Sequence, residues 1–421
     1  MPMPIAPTAH TASGLTADVT ADVAVIGAGV VGLATAYALA RRGLQVALLE
    51  RASGPALGTS FANGAQLSYA YTDAMAGPAL WQQIPGMLLG NDAAFRTRAS
   101  ADPHYWRWGL AFLRNATAHR LQQNTLATLA LALESRAAMA ALLDLHPIAF
   151  DHRIAGKLHV YYDAAALPKA RAMITAKRAF GIQQQLLDAD AAIAIEPALA
   201  DARGIAGVVY SPDEEVGDPW RFSHGLLDVL RTHYRVQALF DTEVRTLRRE
   251  RAHWFLEAAN GHALRAQHIV LCAGIDSHVL LKRLGLRSPL MAVKGYSFTA
   301  SCGAHAPKAS ITDTARKLVF CNLGGRIRVA GLADLNHWDA TPDPVRFQQL
   351  LALARASLPQ AADYAHIETP WAGLRPVTPH SSPVIARAGD GLILNIGHGM
   401  LGWTLAMGSG ERAAQCVLRA Q

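Results

Sequence analysis

Gly27, Gly29 and Gly32 stand at G-x-G-x-x-G spacing, between an apolar run at residues 23–26 and an Ala- and Leu-rich stretch at residues 33–42. These residue types suit one task. The first glycine permits a tight turn out of a strand, the second lets backbone approach a pyrophosphate, and the third lets a helix lie close on the strand. Val30 and Val31 fall where the helix begins, and free N–H groups and the helix dipole there favour phosphate charge. Glu50 closes a second apolar run, residues 45–49, and lies 18 residues beyond Gly32. That is near the ~20 typical of a carboxylate accepting from a ribose hydroxyl. The pattern predicts dinucleotide binding, and an acid at position 50 disfavours the 2′-phosphate of NADP.

The elements that position these residues follow from the pattern. Residues 23–26 and 45–49 read as buried parallel strands, joined by a helix that Gly43 stops: one βαβ unit. Residues 51–68 lack periodicity and are rich in small and polar types, a loop placed to continue along a dinucleotide, with Ser60, Asn63 and Gln66 as candidate ligand contacts. A second strand–glycine–helix junction occurs at residues 268–277, through Ala273 and Gly274. A third is the glycine-rich turn Gly397-His-Gly-Met-Leu-Gly-Trp-Thr404, which opens the closing helix. Junctions so far apart predict an α/β, Rossmann-type nucleotide domain that is discontinuous (residues 22–100, 204–288 and 371–421). An α+β substrate domain built on an antiparallel sheet is inserted between them (residues 101–203 and 289–370).

The chain has 421 residues, a net charge of +7 and 17% charged residues, with no dense Lys/Arg block, so nucleic acid is a poor partner. Four widely spaced cysteines suggest neither a disulfide framework nor a zinc site, and fit a reducing compartment such as the cytoplasm. Residues 1–21 read as a flexible extension without signal-peptide character. Residues 126–145 are apolar but broken by Glu134, Arg136 and Asp144, so no membrane span is predicted. Tyr105, Trp106, Trp108 and Phe112 sit at helical spacing and read as core. The sharper alternative is a pocket-covering or membrane-facing patch, since Arg107 and Arg114 lie among them. Asp213, Glu214, Glu215 and Asp218 read as a solvated turn and helix cap rather than a metal site.

Several motifs together resemble the flavin-dependent amine and amino-acid oxidoreductases of the D-amino-acid oxidase type, and among them the bacterial D-amino acid dehydrogenase group. They are Thr59-Ser-Phe-Ala-Asn63, Pro212-Asp-Glu-Glu-Val-Gly-Asp218, Lys294-Gly-Tyr-Ser297, Arg326-Ile-Arg-Val-Ala-Gly331, Gly373-Leu-Arg-Pro-Val-Thr-Pro379 and the glycine turn at 397–404. The resemblance runs from Val23 over nearly the whole chain. One departure is Gly64-Ala65, where Ala-Gly is expected; the N-terminal segment is another.

The resemblance implies non-covalently bound FAD, with Arg51, Val244, Ala273, Gly274, Gly399, Met400, Leu401, Gly402, Trp403 and Thr404 joining the cofactor contacts. It implies oxidation of a D-amino acid to an imino acid, which water hydrolyses to a 2-oxo acid and ammonia. Arg375 becomes the carboxylate anchor, because its planar fork matches a carboxylate. Tyr296 is expected to offer a hydroxyl to the substrate with Lys294 behind it, and His398 to line the pocket. Electrons pass to a quinone or another non-oxygen acceptor, with peripheral contact at the inner membrane's cytoplasmic face and an oligomer or partner subunit left open. The alternatives are a related flavin enzyme for glycine, sarcosine, D-hydroxyproline or opines, and a non-catalytic nucleotide-binding protein.

Overall fold

The computed structural model describes residues 19–88, 92–368 and 370–419, and the N-terminal extension before residue 19 lies outside them. The first strand, Val19–Ile26, starts earlier than the apolar run suggests, because Val19, Thr20 and Ala21 pair with Leu264, Arg265 and Ala266. It lies parallel between Val46–Leu49 and Ala263–Leu271, at the centre of an eight-stranded sheet. Gln237–Leu239 extends the parallel set at one side and Leu392–Ile396 at the other. The antiparallel ribbon of Val244–Glu250 and His253–Ala258 pairs with the early half of Ala263–Leu271. That strand is continuous from Ala263 into the junction at Cys272.

Side-chain alternation assigns the two faces of this sheet. Val23, Val25, Leu48, Val270 and Ile393 pack under helices Val30–Ala40, Ala118–Leu145, Pro219–Tyr234 and Gly402–Leu418. Ala24, Ile26, Ala47, Leu49, Ile269 and Leu271 face the other way, towards Leu280 and Leu281 of Ser277–Arg283. Ala118–Leu145 is long and apolar enough by length and composition to cross a membrane. Its stripe Thr128, Leu131, Ala132, Ser135, Met139 and Leu142 is nevertheless buried, and the helix lies against the closing helix. Two glycines of the closing helix set these crossings. A Cβ on Gly408 would come within 2.7 Å of Ser135 N, and one on Gly410 within 2.7 Å of Ala34 backbone.

The second sheet has ten strands. Its main path runs from Ala362–Ile367 through Met291–Cys302, Arg326–Leu335, Leu318–Asn322, Ser310–Asp313, Lys157–Tyr161 and Gly207–Ser211 to Gln185–Leu187. Trp371–Val377 also pairs with Met291–Cys302, and Phe95–Thr97 with Arg326–Leu335. Most pairs are antiparallel, as expected; Lys157–Tyr161 with Ser310–Asp313 and Phe95–Thr97 with Arg326–Leu335 are parallel. Helix Pro344–Ser357, capped by Asp343, covers one face through Phe347, Leu350 and Leu351. Gly207–Ser211 and Trp371–Val377 fall in segments that the sequence groups with the nucleotide domain. Their ladder hydrogen bonds instead place them in this second sheet.

Because both helix crossings are backbone contacts, overpacking at either should cost about 1–3 kcal/mol. Gly410→Ala is expected to lower the unfolding midpoint in urea with its slope unchanged. An unaltered midpoint would show that the crossing can relax.

Candidate active site

The glycine turn forms as its spacing requires. Gly27 has φ +103°, and a Cβ there would come within 2.7 Å of Cys272 O. The second junction, Cys272–Ala273, therefore presses on the first, and this contact builds the crevice. A Cβ on Gly32 would overlap the Gly27 carbonyl, its carbon being 2.9 Å away. Gly29 meets only Ser60 Oγ, at 3.4 Å, so its open side is left for a ligand. Gly29, at the N-cap, has no side chain to cap the helix, and Ser60 Oγ from the following loop accepts from the Val30 amide at 3.2 Å. Val31 is the next residue of this first turn.

Glu50 accepts from the Ala28 amide at 2.7 Å and the Ala52 amide at 2.9 Å, which fixes its carboxylate at the mouth of the turn. Exposed Arg51 pairs with half-buried Asp276 at 2.8 Å, in the short turn that Ala273 and Gly274 open. Val244 is buried at the start of its strand, in the cluster that holds Leu49 and Leu271. The cradle fits a dinucleotide: a glycine with an open side, a helix start whose N-cap glycine carries no side chain, and a carboxylate at the second strand's end.

The loop after Glu50 crosses the second sheet strand by strand. Thr59 donates to Leu374 O at 2.8 Å, Ser297 to Ala62 O at 2.5 Å and Arg328 Nη1 to Asn63 O at 3.1 Å. Gln66 Nε2 then donates to Ser310 Oγ at 2.5 Å. Lys157 Nζ donates to Gln66 Oε1 at 3.0 Å and Ser68 Oγ at 2.6 Å. Ser60, Asn63 and Gln66 thus bind protein: Asn63 Oδ1 accepts from the Ala65 amide at 2.9 Å. Their side-chain hydrogen bonds go to the protein and shape the loop. The Gly64-Ala65 order also has a cause. A Cβ on Gly64 would lie 2.9 Å from Val319 Cγ2. Ala65 holds φ +56° while its methyl is buried with Val216, Cys321 and Leu323. The left-handed cost for alanine, about 1–2 kcal/mol, is offset only in part by burial of a methyl, about 0.8 kcal/mol.

Arg375 lies on Trp371–Val377, paired with Val293. Its Nη1 donates to Leu332 O at 2.9 Å. Among the described residues no carboxylate stands within ion-pair distance of it, and burial pulls its pKa down to about 10. Beside it, Trp108 stacks on Phe112 and packs on Met291, Val293 and Val377. Helix Pro103–Arg114 therefore divides: Trp108 belongs to the core, while Trp106 and Leu110 are exposed, as is Trp81, whose indole donates to Ala116 O.

Lys294 and Tyr296 do not join Arg375. Strand pleating puts them on the opposite face from Val293, Gly295 and Ser297. Tyr296 donates to the buried Asp334 carboxylate at 3.0 Å, which also accepts from Arg96 at 2.7 Å and Arg346 at 2.6 Å. Lys294 donates to Thr341 O. The sequence pattern K-G-Y-S misled because the chemically active types carry structure, while the bare Gly295 faces the anchor. Ser297 and Arg328, missed from sequence, tie the loop to the sheet.

At the closing turn, Gly397 and Gly399 have φ of +81° and +55°. His398 is buried with Nε2 unpartnered, and burial pushes its pKa down to about 3, so the ring is neutral at physiological pH. Met400 is exposed, and Leu401 precedes helix Gly402–Leu418, which has no side-chain cap. Trp403 donates to Gly217 O at 3.2 Å and packs on Phe150 and Phe222; Thr404 Oγ1 accepts from the Ser68 amide at 2.9 Å. These two side chains are held by protein contacts, and the N-cap of the closing helix makes no side-chain hydrogen bond.

The acidic turn is buried rather than solvated, apart from Asp213. Asp218 caps helix Pro219–Tyr234, as expected, and Arg328 lies 3.9 Å from it. Glu214 accepts from the Ala70 amide at 2.8 Å but leaves Oε2 unpartnered. Burial pushes the Glu214 carboxyl up to about 7, against the pull of Lys157, and pushes the Lys157 ammonium down to about 8.

The chain belongs to the FAD dependent oxidoreductase (DAO) family, whose model matches residues 22–416. It is an FAD-dependent enzyme, and the α/β expectation with a Rossmann-type part holds. It is 42% identical to D-amino acid dehydrogenase 2 of Ralstonia nicotianae, over 94% of this chain and 96% of that one. It is 40% identical to D-amino acid dehydrogenase of Paramagnetospirillum magneticum, over 94% of both. Among solved structures it resembles glycine oxidase from Geobacillus kaustophilus, with a TM-score of 0.76, 21% identity and 96% of both chains covered. That last likeness concerns the fold.

A pH dependence follows from Glu214. Its folded pKa lies above the unfolded value of 4.5, so the folded state binds more protons and stability falls as pH rises from about 4.5 to about 7. Lys157 works in the opposite sense between about 8 and its unfolded 10.5, where stability recovers. Thermal unfolding of Glu214→Gln across pH 4–8 should lack the part of the decline that Glu214 causes. A profile parallel to the parent's would remove Glu214 from the titration.

Proposed function

We propose that this chain oxidises D-amino acids to 2-oxo acids and ammonia, passing electrons to an acceptor other than oxygen. The observation that carries the reading is Arg375, a partly buried guanidinium without a carboxylate partner among the described residues, on the sheet face that the loop at 59–68 crosses. A cation drawn out of water without a partner is costly, and a substrate carboxylate would satisfy it. The names of the relatives support the D-amino acid as substrate.

FAD, when bound, accepts the hydride from Cα. The chain's part is to hold and orient. Arg375 grips the carboxylate, and the strapped loop fixes the distance between sheet and nucleotide crevice. The uncapped start of Gly402–Leu418 favours negative charge where it points. His398, neutral and buried, lines the turn. Lys294 and Tyr296 support the sheet from behind. No side chain of the site is assigned to take the ammonium proton, which passes to solvent, and water then hydrolyses the imino acid. In this reading the eight-stranded sheet carries FAD and the ten-stranded sheet the substrate. A quinone is the acceptor we favour, with exposed Trp81, Trp106 and Leu110, the last two on the helix that carries Arg107 and Arg114, as a peripheral contact with an anionic cytoplasmic membrane face.

Anaerobic titration with D-alanine should bleach the flavin absorbance of the purified holoprotein, and L-alanine should not. A flavin that stays oxidised with every D-amino acid would end the D-amino acid reading and turn attention to glycine, sarcosine and opines. Arg375→Ala is expected to retain FAD and lose at least about a hundredfold in kcat/KM. Unchanged turnover would remove Arg375 from the mechanism. Glu50→Ala should weaken FAD binding by about 1–3 kcal/mol, measured by fluorescence titration of apoprotein.

A further inference from the structure

The strand pairing is irregular at one place beside Arg375. Lys294 pairs with Asp334 and Tyr296 with Gly331, so Leu332 and Ala333 together oppose Gly295. This is a β-bulge, a device that re-aims backbone and side chains. Leu332 holds φ +60°, a conformation a leucine adopts only under surrounding constraint. Its carbonyl is the one that receives Arg375 Nη1, at 2.9 Å. Opposite the bulge, a Cβ on Gly295 would fall 2.8 Å from Arg375 Nη1 and closer still to Cζ and Nη2. The guanidinium therefore rests on the bare backbone of Gly295. Among the described residues, that one bond is Arg375's only hydrogen bond, so Nε and Nη2 keep their donors.

We infer that Gly295 and the Leu332–Ala333 bulge form a socket that sets the height and rotation of Arg375, making both positioning elements for carboxylate recognition. The bulge carbonyl holds one terminal nitrogen. The glycine floor lets the planar group lie close to the sheet, and the remaining edge is presented to a single carboxylate. This rests on the proposed role of Arg375, and it adds why the fork faces outward rather than folding onto a protein acid. A side chain at 295 would lift or rotate the fork with no loss of charge.

The test is a double-variant cycle on holoprotein, with two readouts. One is the dissociation constant of propionate, a carboxylate with no amine to oxidise, followed by the flavin difference spectrum; the other is the unfolding midpoint. Gly295→Ala should weaken propionate at least about tenfold, the scale of a hydrogen bond to a charged group. FAD stoichiometry should stay the same. Lysine has a slender head, so Arg375→Lys in the Gly295→Ala background should recover part of that affinity. In the Arg375→Ala background, Gly295→Ala should lower the midpoint much less than it does in the parent. If Gly295→Ala alone fails to fold and Gly295→Ala with Arg375→Ala folds, the clash is with the guanidinium, and the socket stands. Equal destabilisation in both backgrounds, or unchanged propionate affinity in a folded Gly295→Ala, overturns the proposal. The midpoint cycle is independent of substrate identity. If no D-amino acid bleaches the flavin yet the cycle is non-additive, the function falls and the socket remains.

Discussion

The hydrogen bonds that strap residues 59–68 across the second sheet are the constraint on which the site depends. A loop without periodicity has backbone groups that need partners. Here Ser297, Arg328, Ser310, Lys157 and the Leu374 carbonyl join it to five strands in turn. Its first residues meet the nucleotide cradle at Ser60 and its last meet the closing helix at Thr404. The loop therefore joins two sheets that share no strand, and the space between cradle and anchor is set by its contacts.

Such a strap is expensive unless complete, since an unmet donor in a low-dielectric interior loses its full solvation. Lys157 illustrates the balance. It is almost fully buried, yet it donates to Gln66 and Ser68 and lies 5.0 Å from the Tyr71 ring centroid. Glu214 nearby supplies compensating charge without touching it. The pair's opposed pKa displacements show desolvation outweighing their attraction. Arg375 differs in kind: among the described residues no carboxylate pairs with it, Asp334 acts on it only from a distance, and its one hydrogen bond goes to the Leu332 carbonyl.

The βαβ unit was legible because each part has a local cause: buried apolar runs, a glycine turn and an acid at fixed spacing. Gly27 and Gly32 take the conformations and contacts that their spacing implies. The second junction at Cys272–Ala273 was also legible, since it repeats the same grammar. The loop's role was half visible. Its polar residues signalled unmet needs, but several of the loop's partners lie more than 200 residues away, as for Ser297 with Ala62 and Arg328 with Asn63, and no local pattern encodes such pairings. Strand boundaries failed where pairing, not hydrophobicity, defines the element. Val19 to Ala21 join a strand through register with Leu264 to Ala266.

The misassignment of Lys294 and Tyr296 has a more general cause. Motif reading weighs residues by chemical capability, and a strand presents residues by parity. Once Arg375 pairs with Val293, the odd positions of that strand face the anchor and the even positions face helix Pro344–Ser357. Tyr296 and Lys294 then turn away whatever their chemistry, and Asp334, with two arginines, completes Tyr296's hydrogen bond in the core. The residue left facing Arg375 is the one with no side chain. Its value to the site is the room it leaves, and the chemistry of residue types alone cannot register that.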